Sequence, residues 1–403
     1  MTHSRLQWRH GGVFRRAPDE RQLANPRGST RKSSMRVLFL STAGIGQVFP
    51  LVPLTWAFRA AGHDVLVGTC GESLVTAQAG LLVADIAPGF RMAEFVRSTP
   101  IEVGREAARR RDMSFDIGLF AGVNRRLAEG ALKLGRAWRP DLVVHEEMAA
   151  IGPLVAAAVD VPAVQVSVTF VPAGPLRRDF TRQLADLYAE LDVPPARTPP
   201  LTLTLTPPSM VEQIEGWPMR FVPYGGGAVQ LPWLREPPSR PRVAVTIGTV
   251  TPIVEGLGII RQILTAVADL DAEFVVALGG AAVEDVQPLP DNARAASWIP
   301  LDELLPSCAA IIHHGGGGTT MTALAAGVPQ LVLPNFADRF INADAVSRRG
   351  VGIAADRRDL TADTIPQLLG DSGLRSSAAS VAAEIGALPG PADMALRLAR
   401  HEW

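Results

Sequence analysis

This sequence predicts an α/β protein of two parallel-sheet domains facing each other across a cleft, and three observations carry that expectation. From Met35 onward, short β-branched runs alternate with amphipathic segments, the pattern of βαβ units. The 403 residues, 47% of them hydrophobic, exceed what one core usually holds, because domains tend to split beyond roughly 250–300 residues. A stretch rich in glycine and proline, Gly225-Gly226-Gly227 followed by Pro232 to Pro241, divides the alternation into two series and reads as a linker. The expected domains are residues 35–224 and 242–388, joined by a linker at 225–241 and followed by a closing helix at 389–403.

Residues 1–34 stand apart, with seven arginines and Lys32 against Asp19 and Glu20. They show no apolar periodicity and no apolar segment of the kind a secretory signal carries, so a disordered basic extension is expected. Val37 to Leu40 is the expected first strand and Ser41 to Gly46 a small-residue loop. Gln47 to about Ala61 reads as a helix, bent by Pro50 and Pro53 and ended by Gly62. Val65 to Gly68, Leu142 to Val144 and Val161 to Val166 are further buried strands, while Phe90 to Trp138 and Leu176 to Leu191 are mostly helical, charged and irregular. Thr202 to Leu205 and Phe221 to Pro223 are expected to be the last strands of the first domain. After the linker come Val243 to Ile247, Phe274 to Leu278, Ala309 to Ile312 and Leu331 to Leu333, with helices between them and a final helix from Pro391 to Trp403.

Charge narrows the partners. Lys plus Arg total 39 against 40 Asp plus Glu, a net charge of −1, so no field exists to hold nucleic acid or an anionic membrane face. No apolar run approaches the roughly 20 residues of a membrane span. Cys70 and Cys308 are the only cysteines, each in or beside an apolar run, which suits buried thiols in a reducing cytoplasm. Two cysteines alone cannot make a structural zinc site. A small-molecule partner is expected, and a homodimer is left open.

The most informative stretch is Ile311-Ile312-His313-His314-Gly315-Gly316-Gly317-Gly318-Thr319-Thr320. It reads as a buried strand, a turn without side chains and the start of a helix. Backbone N–H groups then converge where the helix dipole favours negative charge, which makes a phosphate site. A histidine at the strand end adds a charge-assisted or neutral N–H donor, and the hydroxyls of Thr319 and Thr320 sit within reach in the first turn. By contrast, Gly44-Ile45-Gly46-Gln47-Val48-Phe49 is a broken dinucleotide fingerprint, with Phe49 where the last glycine belongs, so hydride transfer is disfavoured. Asp269-Leu270-Asp271 has the spacing of a metal-binding acid pair, but it lies between a predicted helix and strand, far from the phosphate run. No metal is expected.

The loop at Gly44, His313 to Thr320, Gly327-Val328-Pro329-Gln330, Phe336-Ala337-Asp338 and Arg220-Phe221-Val222-Pro223-Tyr224 together resemble family 1 glycosyltransferases of the GT-B fold. The likeness is to the actinomycete natural-product enzymes that use dTDP-deoxysugars, nearest to the calicheamicin (enediyne) type, and it covers Met35 to Trp403. It implies a pyrophosphate site at His314, Gly316, Gly317, Gly318 and Thr319, with Thr249 approaching from the facing Gly248-Thr249 turn. It implies further that Trp298 stacks on the base while the Ile299 backbone reads its edge. Similar UDP-sugar enzymes carry a ribose-binding glutamate eight residues after the phosphate histidine; Thr322 stands there and favours dTDP, because a buried carboxylate facing deoxyribose would lose a partner. Asp338 matches the acid that accepts hydrogen bonds from sugar hydroxyls, but its usual glutamine neighbour is Arg339, which either changes the sugar that fits or turns to solvent.

One departure concerns the chemistry. Similar enzymes take the acceptor proton with a histidine in an H-x-x-P loop, oriented by an acid after the fourth strand; here Gln47-Val48-Phe49-Pro50 carries glutamine and Glu146 stands at the acid's place. An amide is no general base near neutral pH. The chain is then a base-minus form, serves an acceptor that needs less help, or uses another group such as Glu146. His145 is expected to point to the opposite face of the strand. The resemblance implies an inverting, metal-independent hexosyltransferase that uses a dTDP-deoxysugar as co-substrate, needs no cofactor and acts on a hydrophobic enediyne- or polyketide-like acceptor in antibiotic biosynthesis. The alternative is a catalytically impaired nucleotide-sugar-binding auxiliary protein.

Overall fold

The computed structural model describes residues 34–98, 113–196, 198–252, 256–335, 337–361 and 363–400. The expected basic extension, apart from Ser34, lies outside the described residues, as do residues 99–112 of the irregular stretch, Phe336 and the last three residues of the tail.

The first sheet holds β1 (Arg36–Leu40), β2 (Asp64–Thr69), β3 (Val83–Asp85), β4 (Leu142–Glu146), β5 (Ala163–Ser167), β6 (Leu201–Thr204) and β7 (Trp217–Pro218) in the order β3-β2-β1-β4-β5-β6-β7. The second holds β8 (Arg242–Thr246), β9 (Glu273–Ala277), β10 (Ala293–Ala296), β11 (Ala310–His313), β12 (Gln330–Val332) and β13 (Gly352–Ala354) in the order β10-β9-β8-β11-β12-β13. All of these pairings are parallel. Parallel strands are buried on both faces, which is why they are continuous apolar runs. Val37 and Phe39 of β1 enter one core while Leu38 and Leu40 enter the other; in the second sheet Val243 and Val245 oppose Ala244 in the same way. In each sheet the strand order reverses beside the first strand, between β1 and β4 and between β8 and β11. Each reversal opens a crevice at the carboxyl ends of the strands. This is the two-domain GT-B architecture.

Several expectations need correction. The helix expected from Gln47 to Ala61 is divided into Ile45–Val48, a 3₁₀ turn Phe49–Leu51 and Val52–Ala60, because Pro50 and Pro53 cannot donate to a continuous ladder. Gly62 does end it, at φ +85°. Phe221 to Pro223 is not a strand: β7 is Trp217–Pro218, and beyond it the Arg220 N–H donates to the carbonyl of Pro389 instead of to the sheet. The short strands β3, β10 and β13 escape a search for β-branched runs, β10 because Ala-Arg-Ala-Ala has none.

The closing helix, Pro391–Ala399, returns to the first sheet. Met394, Ala395 and Leu398 share a core with Val48, Leu51 and Phe58, and the Arg397 guanidinium lies 3.4 Å over the Trp217 ring. Both cysteines are free thiols; Cys70 is buried as expected, whereas Cys308 is half-buried. No helix among the described residues is long and apolar enough to cross a membrane.

Candidate functional site

The carboxyl ends of both sheets open onto one cleft of about 830 Å³. On the second-sheet side, β11 ends at His313, whose ring is structural: Nε2 meets Gln330 Oε1 at 2.8 Å and Nδ1 accepts the Gly315 N–H at 3.1 Å. Gly315 reverses the chain at φ +90°, where a Cβ would come within 3.0 Å of the Arg339 carbonyl. The helix Gly317–Ala325 follows. Thr320 N–H donates to the Gly316 carbonyl at 2.9 Å, so the N–H groups of Gly317, Gly318 and Thr319 precede any intrahelical acceptor and remain for a ligand. Gly316, Gly317, Gly318 and Thr319 all line the cleft. Thr320 does not: it is fully buried and its hydroxyl donates back to the Gly316 carbonyl at 3.0 Å, contrary to the expectation that it reaches the ligand.

His314 completes this arrangement. A Cβ added to Gly316 would lie 2.5 Å from its Nε2 and one added to Gly248 would lie 2.8 Å from the same atom, so Nε2 occupies the gap between the two turns. Burial, then the charge of Arg339, His313 and Arg357, hold its pKa well below 6.5. The ring is therefore neutral and can present a single N–H. Across the gap, Gly248 adopts φ +70° and Gly279 packs against its carbonyl, where a Cβ would come within 2.2 Å; Thr249 lines the cleft beside them. Neutral histidine, helix N–H groups and a hydroxyl converge as an anion site needs.

The other expected residues of this wall also line the cleft. Trp298 is 38% exposed, not a core tryptophan; its Nε1 donates to the Gly225 carbonyl at 3.0 Å and its ring stands edge-on to Phe49, centroids 6.4 Å apart. Ile299 is buried beside it. The Thr322 hydroxyl donates to the Gly318 carbonyl at 2.7 Å. Asp338 has its pKa raised by burial, against the opposing pull of Arg339. Arg339 does not turn to solvent: it is buried, with Nη1 donating to Thr251 Oγ1 at 2.9 Å and to Asn335 Oδ1.

On the first-sheet side, Gln47 is half-buried on the cleft wall, beside the apolar surfaces of Phe49, Met92, Phe120, Met148 and Phe221. Glu146 is not on that wall and shares no hydrogen bond with Gln47 among the described residues. Its carboxylate accepts from the Thr42 N–H at 3.0 Å, the Thr42 hydroxyl at 2.8 Å and the Met148 N–H at 2.5 Å. It therefore ties the loop before Gln47 to the end of β4. Burial raises its pKa, and these bonds oppose the rise. His145 turns away, its Nδ1 against the Glu146 carbonyl at 2.9 Å.

Two residues were missed. Thr169 lines the cleft against the phosphate turn, its Cγ2 2.9 Å from where a Cβ on Gly317 would stand. Behind it lies Glu147, 4% exposed, whose Oε2 accepts from Thr169 Oγ1 at 3.2 Å. The doubled acid Glu146-Glu147 at a strand end was the available signal. Asp269 and Asp271 are exposed, away from the cleft, with Asp271 3.8 Å from Arg240.

Comparison with known proteins agrees with this fold. Residues 56–248 match the N-terminal domain, and 261–400 the C-terminal domain, of the family described as erythromycin biosynthesis protein CIII-like. The elloramycin glycosyltransferase ElmGT of Streptomyces olivaceus is 40% identical over 384 residues, covering 90% of this chain and 97% of that protein. The crystal structure of the glycosyltransferase SnogD from Streptomyces nogalater superposes with a TM-score of 0.77 at 38% identity, over 92% of this chain and all of that one, a coverage of 100%. The Streptomyces sp. SF2575 glycosyltransferase SsfS6, solved in complex with thymidine diphosphate, gives a TM-score of 0.75 at 31% identity, over 91% of this chain and 99% of its own.

Proposed function

The chain belongs to the erythromycin biosynthesis protein CIII-like family of actinomycete antibiotic pathways, and on that premise we propose that it is an inverting glycosyltransferase moving a deoxysugar from a dTDP-sugar to a hydrophobic natural-product acceptor. The observation that carries this reading is the gap between the Gly248-Thr249 turn and the start of the helix Gly317–Ala325, with neutral His314 between them, in a cleft whose other wall is apolar.

In this reading the pyrophosphate lies against His314 and the N–H groups of Gly316, Gly317, Gly318 and Thr319, with Thr249 opposite. Trp298 stacks on thymine, the Ile299 backbone meets its edge, and Thr322, its hydroxyl already bonded to the Gly318 carbonyl, faces a deoxyribose that asks for no carboxylate. Asp338 accepts from sugar hydroxyls, and Arg339 shapes the space beside it. The acceptor, an enediyne- or polyketide-type aglycone, lies against Phe49, Phe120 and Phe221, held at its hydroxyl by Gln47. Its oxygen attacks the anomeric carbon from the face opposite the nucleotide, the bond to dTDP breaks, and the acceptor proton is lost to water. Leaving-group charge is met by helix N–H groups and His314, so the reaction proceeds without a metal. Residues 35–224 are the acceptor domain, 242–388 the nucleotide-sugar domain, with 225–241 linking them and 389–403 closing the chain.

Mass spectrometry of mixtures of the protein, dTDP-deoxysugars and candidate aglycones tests this: a product heavier by one deoxysugar supports it. One observation favours a second reading. Gln47 supplies no base and shares no hydrogen bond with Glu146, which also suits an auxiliary protein that binds nucleotide sugar without turnover. Donor binding without product in every mixture would favour that reading.

A further inference from the structure

Glu147 has no part in the reaction as proposed, yet it lines a second cavity and touches Thr169, a residue of the main cleft wall. Its Oε2 lies 3.2 Å from Thr169 Oγ1 on the side of the main cleft, and its Oε1 is buried without a partner. On its far side is a second cavity of about 30 Å³, lined also by His145, Gln165, Arg177 and Tyr188, where His145 Nε2 is likewise buried without a partner. Thr169 meanwhile presses its Cγ2 methyl against Gly317, the first residue of the helix that faces the donor, so its Oγ1 stands beside that contact, between the methyl and Glu147.

A hydroxyl has one proton to give. If Glu147 is a carboxylate, it takes that proton from Thr169 and leaves the cleft facing only lone pairs, beside a ligand made of oxygens. If Glu147 is a carboxylic acid, it donates to Thr169 Oγ1, which also receives the Val171 N–H at 3.4 Å. Both lone pairs are then occupied, and the hydroxyl hydrogen is free for the cleft. We propose that Glu147 is a positioning residue that works as a neutral acid, turning the Thr169 hydroxyl outward as a donor to an oxygen of the bound nucleotide sugar, on its phosphate or on its sugar. The inference rests on the donor site proposed above.

Two of the groups facing Glu147 favour the neutral form. Glu146 beside it and Asp338 from the helix Ala337–Arg349 are both acidic. His145 is held neutral by burial, its pKa lowered to about 4. Arg177, from the helix Ala173–Gln183, directs Nη1 to Gln165 Oε1 at 3.1 Å and to Thr202 Oγ1 at 3.4 Å, and Tyr188 comes from the helix Ala185–Glu190. Burial first, then the charge of Glu146 and of Asp338, pushes the Glu147 carboxyl up to about 8, against the opposing pull of hydrogen bonds from Thr169 and the Val168 backbone.

Calorimetric titration with dTDP and with dTDP-glucose at pH 7 and pH 9 tests the proposal. The wild-type protein is expected to bind about tenfold more weakly at pH 9, as the neutral fraction falls from about nine tenths to about one tenth. Glu147→Gln, whose amide donates at any pH, is expected to bind equally at both. Thr169→Val, which keeps the shape and lacks the hydroxyl, is expected to bind about tenfold more weakly than wild type at pH 7. An effect with dTDP alone assigns the partner oxygen to the phosphate, and one seen only with dTDP-glucose assigns it to the sugar. Equal wild-type affinity at the two pH values, an alkaline loss that persists in Glu147→Gln, or full affinity in Thr169→Val overturns the proposal. So does a Glu147→Gln variant that binds donor normally but has lost turnover, which would make Glu147 a proton acceptor. Wild-type protein that fails to bind dTDP at pH 7 would instead refute the donor site itself.

Discussion

Replacing His314 by alanine removes one donor from the anion site and little else that touches a ligand. The ring is 6% exposed, its Nε2 fills the gap between Gly248 and Gly316, and burial with neighbouring arginine charge keeps it uncharged. What is lost is thus one neutral N–H to an ionised oxygen, a hydrogen bond worth about 1.5–3 kcal/mol. That corresponds to dTDP binding weakened about 10- to 150-fold. Because the ring is neutral well above its lowered pKa, the ratio of wild-type to variant affinity is expected to be the same at pH 6.5 and pH 8. Calorimetry with dTDP at both values measures it, and thermal melting without ligand checks that the variant is folded. An unchanged affinity would remove His314 from the anion site. A ratio that shrinks as pH rises would mean that the ring binds as a cation, against the burial argument.

Other variants test other parts of the cleft. Thr322→Glu is expected to shift preference from dTDP toward UDP, read as the ratio of the two dissociation constants; an unaltered ratio refutes the ribose assignment. Gly316→Ala places a Cβ 2.5 Å from His314 Nε2 and should weaken dTDP binding at least as much as His314→Ala does, with the fold intact by circular dichroism. Gln47→His introduces a base with a pKa near 6.5. For an ordinary alcohol acceptor it should raise turnover by about 10²–10⁴-fold, whereas for a phenol or hydroxylamine-type acceptor, which gives up its proton more readily, it should add little. Glu147 also makes stability pH-dependent. Its folded pKa, about 8, is raised above the ordinary 4.5, so its contribution is fully present below pH 4.5 and is lost as pH rises through 8. In thermal melts Glu147→Gln should therefore gain on wild type across that window, by up to about 1.4 kcal/mol per pH unit; a constant difference would refute the buried neutral acid.

What was legible in the sequence was what depends on neighbours in the chain. The βα alternation, the proline breaks near Pro50 and the glycine turn after His313 each follow from local chemistry, and the two sheets and the turn that opens the helix Gly317–Ala325 on the cleft lie where those signals point. Contacts between distant segments were not legible. Glu146 was expected beside Gln47, yet its Oε1 is taken by Thr42, 104 residues away, and its Oε2 by the Met148 N–H, and nothing in the pattern at either site announces the bond to Thr42. Thr320 and Thr319 look equivalent in sequence, but helix rotation turns the first inward to Gly316 and leaves the second on the cleft. Phe221 resembles a strand residue until the returning chain at Pro389 takes the hydrogen bond of its neighbour Arg220.

The account stands most directly on where the nucleotide binds, and a crystal structure of the protein with dTDP measures that. The expected result puts the pyrophosphate within hydrogen-bond distance of His314 Nε2 and the N–H groups of Gly317 to Thr319, with thymine stacked on Trp298. Nucleotide bound at the Gly44 loop of the first sheet, or a pyrophosphate that makes no contact with His314 and the helix N-terminus, would contradict it.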